Sequence, residues 1–258
     1  MNPFFAALTF LTKIPAPGQE KINQASLSKS CTFFPAVGLA IGGILLLARK
    51  FLHLLFPLNP SVAAILLLVL WVFLTGALHL DGLADTFDGI GGGASKSDRL
   101  RIMQDPYIGT FGLVALVLLL LLKYNLLANL EGVRLTSALF YSPLLSRWSM
   151  VVLMYTTPYS RKSEGLVKPF IAQPKSYRLL LATAITLAAG IFSPHLFFFF
   201  LLPITALAIT VARAFFLNKL GGITGDCLGA INELIELTVL LCLIFPFLPD
   251  SFLRFLIA

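Results

Sequence analysis

From residue 179 to residue 212 the chain carries no Asp, Glu, Lys or Arg. As one α-helix that block would run about 50 Å, against a hydrocarbon core of about 30 Å. It is too long to be one span, and Ser193 and Pro194 fall near its middle, where a turn divides it in two. Further apolar blocks lie at about 33–47, 61–78, 109–122 and 135–155, with a last one from about 230 to 249. A spanning helix needs about 20 such residues. The whole chain is 58% hydrophobic and only 12% charged, which leaves too little polar sequence to cover a soluble globule. The excess must face lipid.

The expected fold is therefore all-α: a polytopic transmembrane helix bundle of about seven spanning helices, forming one integral membrane domain over 1–258. Charge orients it. Most of the 19 basic residues fall in the N-terminal arm and the second, fourth and sixth loops. Arg49, Lys50, Lys123, Arg134 and Arg254 fall on the other face, and Arg147 lies within a span. The positive-inside rule then puts the N-terminus in the cytoplasm. Four non-spanning parts follow: an interfacial arm (1–32), an acidic cytoplasmic loop (79–108), a basic cytoplasmic loop (156–178) and a second acidic segment (213–236). Both acidic stretches share the cytoplasmic face only if 179–212 crosses twice.

Composition excludes several other classes. The net charge of +7 is spread between apolar blocks, as for loops held against acidic headgroups, and no soluble basic face exists to dock nucleic acid. Cys31, Cys227 and Cys242 show neither zinc spacing nor an even count for a disulfide framework. The first residues lack the basic start of a signal peptide, and Lys13 and Pro15 end their apolar run early.

Two constellations carry the chemistry. Asp81, Asp85 and Asp88 are spaced i, i+4, i+7, which places three carboxylates on one face of a helix continuing the second span. They repel one another and oppose the dipole of a helix C-terminus. A divalent cation reverses both penalties, and Mg²⁺ takes a few carboxylates while leaving positions for water and phosphate. His79 adjoins them. Glycines 89 and 91–93 follow, then Arg99, Arg101 and Asp105, with Gly109 opening the next span; the arginines suit a diphosphate or serve as interfacial anchors. The second constellation, Lys219, Gly222, Thr224, Asp226 and Glu233, is a glycine-rich lead into the last span. Its free N–H groups suit phosphate, while Gly225 and Gly229 permit close helix packing. Arg147, inside a span, requires a phosphate or carboxylate partner.

These segments together resemble the cobalamin synthases, the adenosylcobinamide-GDP ribazoletransferases. The likeness is carried by LTKIP (11–15), FFPAVGLAIGG (33–43), HLDGLADTFDGIGGG (79–93), RLRIMQDPYIGTFG (99–112) and GGITGDCLGAINELIE (221–236). The resemblance implies an Mg²⁺-dependent enzyme of the inner membrane. It joins adenosylcobinamide-GDP to α-ribazole or its 5′-phosphate, releases GMP and forms adenosylcobalamin or its phosphate. On that footing Asp81, Asp85 and Asp88 hold the metal, and Asp226, Glu233 or His79 takes the hydroxyl proton. Arg99, Arg101, Asp105, Gly109, Arg147, Lys219, Gly222 and Thr224 face the substrates. The expected partners are these small molecules and the bilayer, with room for a homo-oligomer or other membrane-bound corrinoid enzymes. Two alternatives are a phosphotransferase for CDP-alcohols, whose motif also opens Asp-Gly-x-x-Ala, and a proton- or ion-coupled transporter.

Overall fold

The computed structural model describes residues 2–18, 24–55, 59–161, 167–171, 176–191, 193 and 197–245. Among them the chain forms helices α1 (Pro3–Leu11), α2 (Gln24–Ser30), α3 (Phe34–Leu55), α4 (Pro60–Thr75), α5 (Leu78–Gly92) and α6 (Lys96–Ile102). They are followed by α7 (Thr110–Asn129), α8 (Gly132–Thr156), α9 (Lys168–Ile171), α10 (Ser176–Ile191), α11 (Phe197–Leu220) and α12 (Gly225–Ile244). The long apolar block does divide, between Ile191 and Phe197; Pro194 lies outside the described residues.

Each expected apolar block forms a helix, but fewer qualify as spans than expected. Among the described residues four helices are long and apolar enough: residues 26–54 taken together, α7, α11 and α12. A fifth qualifies if α4 and α5 count as one bent span. Helices α4 and α10 have 16 residues each, about 24 Å, which is short of the hydrocarbon thickness. The outer surfaces are apolar in the way lipid requires. Leu113, Val117, Leu118 and Leu121 of α7 are exposed, as are Phe199, Leu207 and Val211 of α11. The protein is a multi-pass membrane protein.

Helix α8 forms the centre, and its polar side chains point inward: Ser142, Ser146, Arg147 and Ser149 are fully buried. Pro143 within it has no N–H, so the carbonyl of Leu139 lacks its usual helical partner. Gly42 of α3 lies against that carbonyl, so closely that a β-carbon there would sit 2.8 Å from the oxygen. The N-terminal arm is packed too, with Ala7, Leu8 and Leu11 of α1 buried in the same core.

The sharpest feature is the break between α4 and α5, which bend by 87°. Gly76 (φ +61°) and Ala77 (φ +57°) are both left-handed, which ends α4 and redirects the chain. The N–H of Lys13 donates to the carbonyl of Leu74 at 2.8 Å, closing the end of α4. This corrects one expectation. The acids stand on a new helix, not on the end of the second span, and Asp81 lies in its first turn, where the helix dipole favours negative charge. Residues 79–108 are mostly helical, as α5 and α6.

Candidate active site

Glycine sets the geometry of the site. Helices α5 and α12 cross where Gly82 meets Gly229. A β-carbon at Gly82 would sit 2.9 Å from the carbonyl oxygen of Asp226 and 3.2 Å from the α-carbon of Gly229. Backbones this close require small residues on both helices. Asp81 and Asp85 flank Gly82 on α5, so the contact carries them to Asp226 on α12. Asp81 is exposed, and Asp85 and Asp226 are half-buried. Asp85 lies within electrostatic reach of Asp226, Asp81 and Asp88, with Arg161 as the opposing cation.

Asp226 is held from two sides. Arg161 pairs with it at 2.7 Å, and the Thr224 hydroxyl donates to it at 3.2 Å. Thr224 also caps α12, accepting from the N–H of Cys227 at 3.3 Å. Arg161 reaches the site because residues 158–160 pair with the loop before α12. The N–H of Ser160 donates to Ile223 and that of Ile223 to Pro158, both at 2.9 Å. Gly222, at φ +154°, packs against the Pro158 carbonyl, where a β-carbon has no room. Sequence reasoning counted Arg161 only as a basic loop residue.

Asp88 does something different. Its two oxygens accept from the N–H groups of Gly109 (2.7 Å) and Gly112 (2.8 Å), so it caps the start of α7 and is buried there. Both glycines leave space that a side chain would take from the carboxylate. The expected triad therefore separates, with Asp226 beside Asp81 and Asp85 while Asp88 ties α5 to α7. Arg99 is a tether as well. It donates to the backbone carbonyls of Gly93 (3.0 Å), Ala94 (3.3 Å) and Lys219 (3.1 Å), joining the glycine turn to the end of α11. Arg101 and Asp105 are exposed on and just after α6, and Lys219 is half-buried. Asp105 accepts from the N–H of Tyr107 at 3.0 Å. In the capping box of α6, hydrogen bonds from Ser95 hold the Asp98 carboxyl below its ordinary range.

A second cluster lies inside the bundle. Lys123 pairs with Glu233 at 2.5 Å and with Glu236 at 2.6 Å, and Arg147 pairs with Glu236. Asn232 donates to both glutamates, at 3.3 and 3.2 Å. Lys123 also stands 5.2 Å over the Trp71 ring. His79 is buried beside this cluster, within electrostatic reach of Arg147, Glu236 and Lys123, and among the described residues neither ring nitrogen has a hydrogen-bond partner. Glu233, Arg147 and His79 thus gather here and not with Asp226. Lys123, expected on the outer face, is a buried countercharge. Intramembrane charge was the feature favouring a transporter, but here two cations and two carboxylates neutralise one another.

Among the described residues no three acidic, imidazole or thiol groups are already closed on one point. The donor set at the crossing nevertheless suits a hard divalent cation: three oxygen-bearing groups, partly open to solvent. Among the described residues no ion pair or side-chain hydrogen bond joins Asp81 or Asp85 to another group, and Asp85 faces Asp226, Asp81 and Asp88.

The fold and site define a class, a multi-pass membrane protein with carboxylates from two distant segments collected at one end of its helices. Comparison narrows it. The family model described as cobalamin-5-phosphate synthase matches residues 3–244, and the chain belongs to that family. Similar proteins are named adenosylcobinamide-GDP ribazoletransferase. That of Thermoanaerobacter sp. (strain X514) is 36% identical over 92% of this chain and 95% of its own. That of Shewanella pealeana is 36% identical over 95% of each. That of Stutzerimonas stutzeri is 39% identical over 93% of this chain and 96% of its own. No solved structure matches. The chain is accordingly a cobalamin-synthesis transferase.

Proposed function

We propose that this enzyme transfers the phosphocobinamide group of adenosylcobinamide-GDP to α-ribazole or α-ribazole 5′-phosphate in an Mg²⁺-dependent reaction. GMP leaves, and adenosylcobalamin or its phosphate is formed. The single observation that carries the reading is the α5–α12 crossing, where Asp81 and Asp85 lie beside Asp226, which Arg161 pairs. The substrates proposed are those that the names of its relatives point to.

Asp81, Asp85 and Asp226 would hold Mg²⁺. When bound, the ion supplies charge stabilisation to the diphosphate and its departing half. The chain's own residues do the rest. Arg101 and Lys219, at the rim, offset phosphate charge, and Arg161 lies close enough to exchange Asp226 for a phosphate oxygen. A ribose hydroxyl forms the new O–P bond as the bond to GMP breaks. Its proton passes to a carboxylate of the cluster, for which Asp226 is better placed than the sequestered Glu233 or His79. Asp88 and Arg99 act through position, fixing α5 against α7 and the glycine turn against α11. We place the enzyme in the cytoplasmic membrane, with this site facing the cytoplasm, where basic loops and nucleotide substrates coincide.

A membrane-fraction assay with adenosylcobinamide-GDP and α-ribazole tests this. GMP release that stops on chelation and returns with Mg²⁺ is the expected result. No GMP release under either condition overturns the assignment.

A further inference from the structure

Helix α8 runs about 37 Å, and its two ends differ in chemistry. One end meets the carboxylate site. At the other, α3 ends, α4 begins, and the turn from α7 to α8 closes around a cavity of about 690 Å³. Its inner wall is apolar, with Leu46, Ala64, Leu67 and Leu127. Its mouth carries Arg49, Lys50 and His53 against one carboxylate, Glu131. The catalytic chemistry uses none of these residues.

Arg49 is the informative one. It is half-buried, and its hydrogen bond goes to the neutral hydroxyl of Thr136 at 2.5 Å, which fixes the guanidinium at the mouth. Among the described residues it makes no ion pair. A partly desolvated guanidinium held by a neutral partner still lacks a countercharge. Lys50 stands next to it, exposed. Leu47, Phe51 and Leu54, on one face of the same helix, are exposed at 70%, 59% and 77%, an apolar surface beside the mouth.

We propose that this cavity binds an anionic phospholipid, its phosphate on Arg49 and Lys50 and an acyl chain along the apolar wall. Charge and position choose this occupant. The site combines excess positive charge with an apolar depth, and it opens at the level where α3 leaves the membrane core, where headgroups lie. A zwitterionic lipid would bring its own cation to a mouth that already has an excess. A free phosphate would leave the apolar wall unused.

The full-length protein, purified in detergent, is titrated with phosphatidylglycerol, phosphatidylcholine or inorganic phosphate. Retained lipid is counted by native mass spectrometry and thermal stability is followed in parallel. Phosphatidylglycerol is expected to be retained and to raise the melting temperature, and the other two are not. Arg49→Gln and Lys50→Gln should each weaken retention roughly fivefold, and together about 30-fold. Lys50 is exposed, so its variant folds even if Arg49→Gln does not, and Arg213→Gln at the opposite end should bind as the parent does. Equal retention of both lipids, or phosphatidylglycerol binding that survives the double substitution, overturns the proposal. So does stabilisation by inorganic phosphate alone, which would make the site one for a soluble anion.

Discussion

Replacing Lys123 by Met should destabilise the protein severely, by an amount that follows from the charges around it. Lys123 and Arg147 balance Glu233 and Glu236 inside the bundle, and Lys123 bridges both glutamates. Removing one cation leaves a buried carboxylate without compensation, which costs about 3–5 kcal/mol. For a chain of this size 1 kcal/mol lowers the melting temperature by about 2–4 °C, so the loss should be about 6–20 °C. Adding Glu233→Gln to Lys123→Met restores the charge balance, because Arg147 still faces Glu236. The double variant should recover at least half of the loss. Melting of the detergent-solubilised protein, followed by tryptophan fluorescence, gives both numbers. A single variant within about 2 °C of the parent, or a double variant no better than the single, would refute the reasoning.

Other outcomes follow from the same geometry. Gly82→Ala places a methyl group 2.9 Å from the backbone of α12, which has no flexible atom to yield, and should reduce GMP release at least tenfold. Gly43→Ala on α3, with nothing within 4 Å, should leave the rate unchanged. Asp88→Asn can accept only one of the two N–H bonds at the start of α7 as well as before, and it loses their charge assistance. A loss of about 1.5–3 kcal/mol, read as a lower melting temperature, is expected. Asp81→Asn, at an exposed position, should abolish turnover while melting as the parent does.

The parts of this molecule that were legible in the sequence are those set by local pattern. The all-helical membrane fold followed from apolar blocks, and the division of 179–212 followed from arithmetic on helix length. The meeting of the two acidic segments was inferred from topology, and Gly229 was read as a packing residue. The rest depends on contacts between distant segments. The bend at Ala77 was invisible because a left-handed alanine has no local signature; once present, it moved Asp81 to the favourable end of a helix and turned Asp88 toward α7. Lys123 looked like an interfacial anchor because its countercharges lie more than a hundred residues away. One signal was available: Glu233 and Glu236 share a face of an apolar helix, and two buried carboxylates demand cations. Arg161 gave no such sign, since its place depends on the pairing of residues 158–160 with the loop before α12. The count of about seven spans is not confirmed: among the described residues four helices, or five with the bent α4–α5 pair, have the length and apolarity of a span.

Manganese is spectroscopically visible where magnesium is silent, so the free Mn²⁺ signal in electron paramagnetic resonance can count ions held by the purified protein. If carboxylates of α5 and α12 share one ion, Asp81→Asn and Asp226→Asn should each weaken Mn²⁺ binding by tenfold or more. Asp88→Asn, compared below its melting temperature, should bind as the parent does. Undiminished affinity in the Asp226 variant would mean that the two segments do not meet at one metal, and the proposed centre would be wrong.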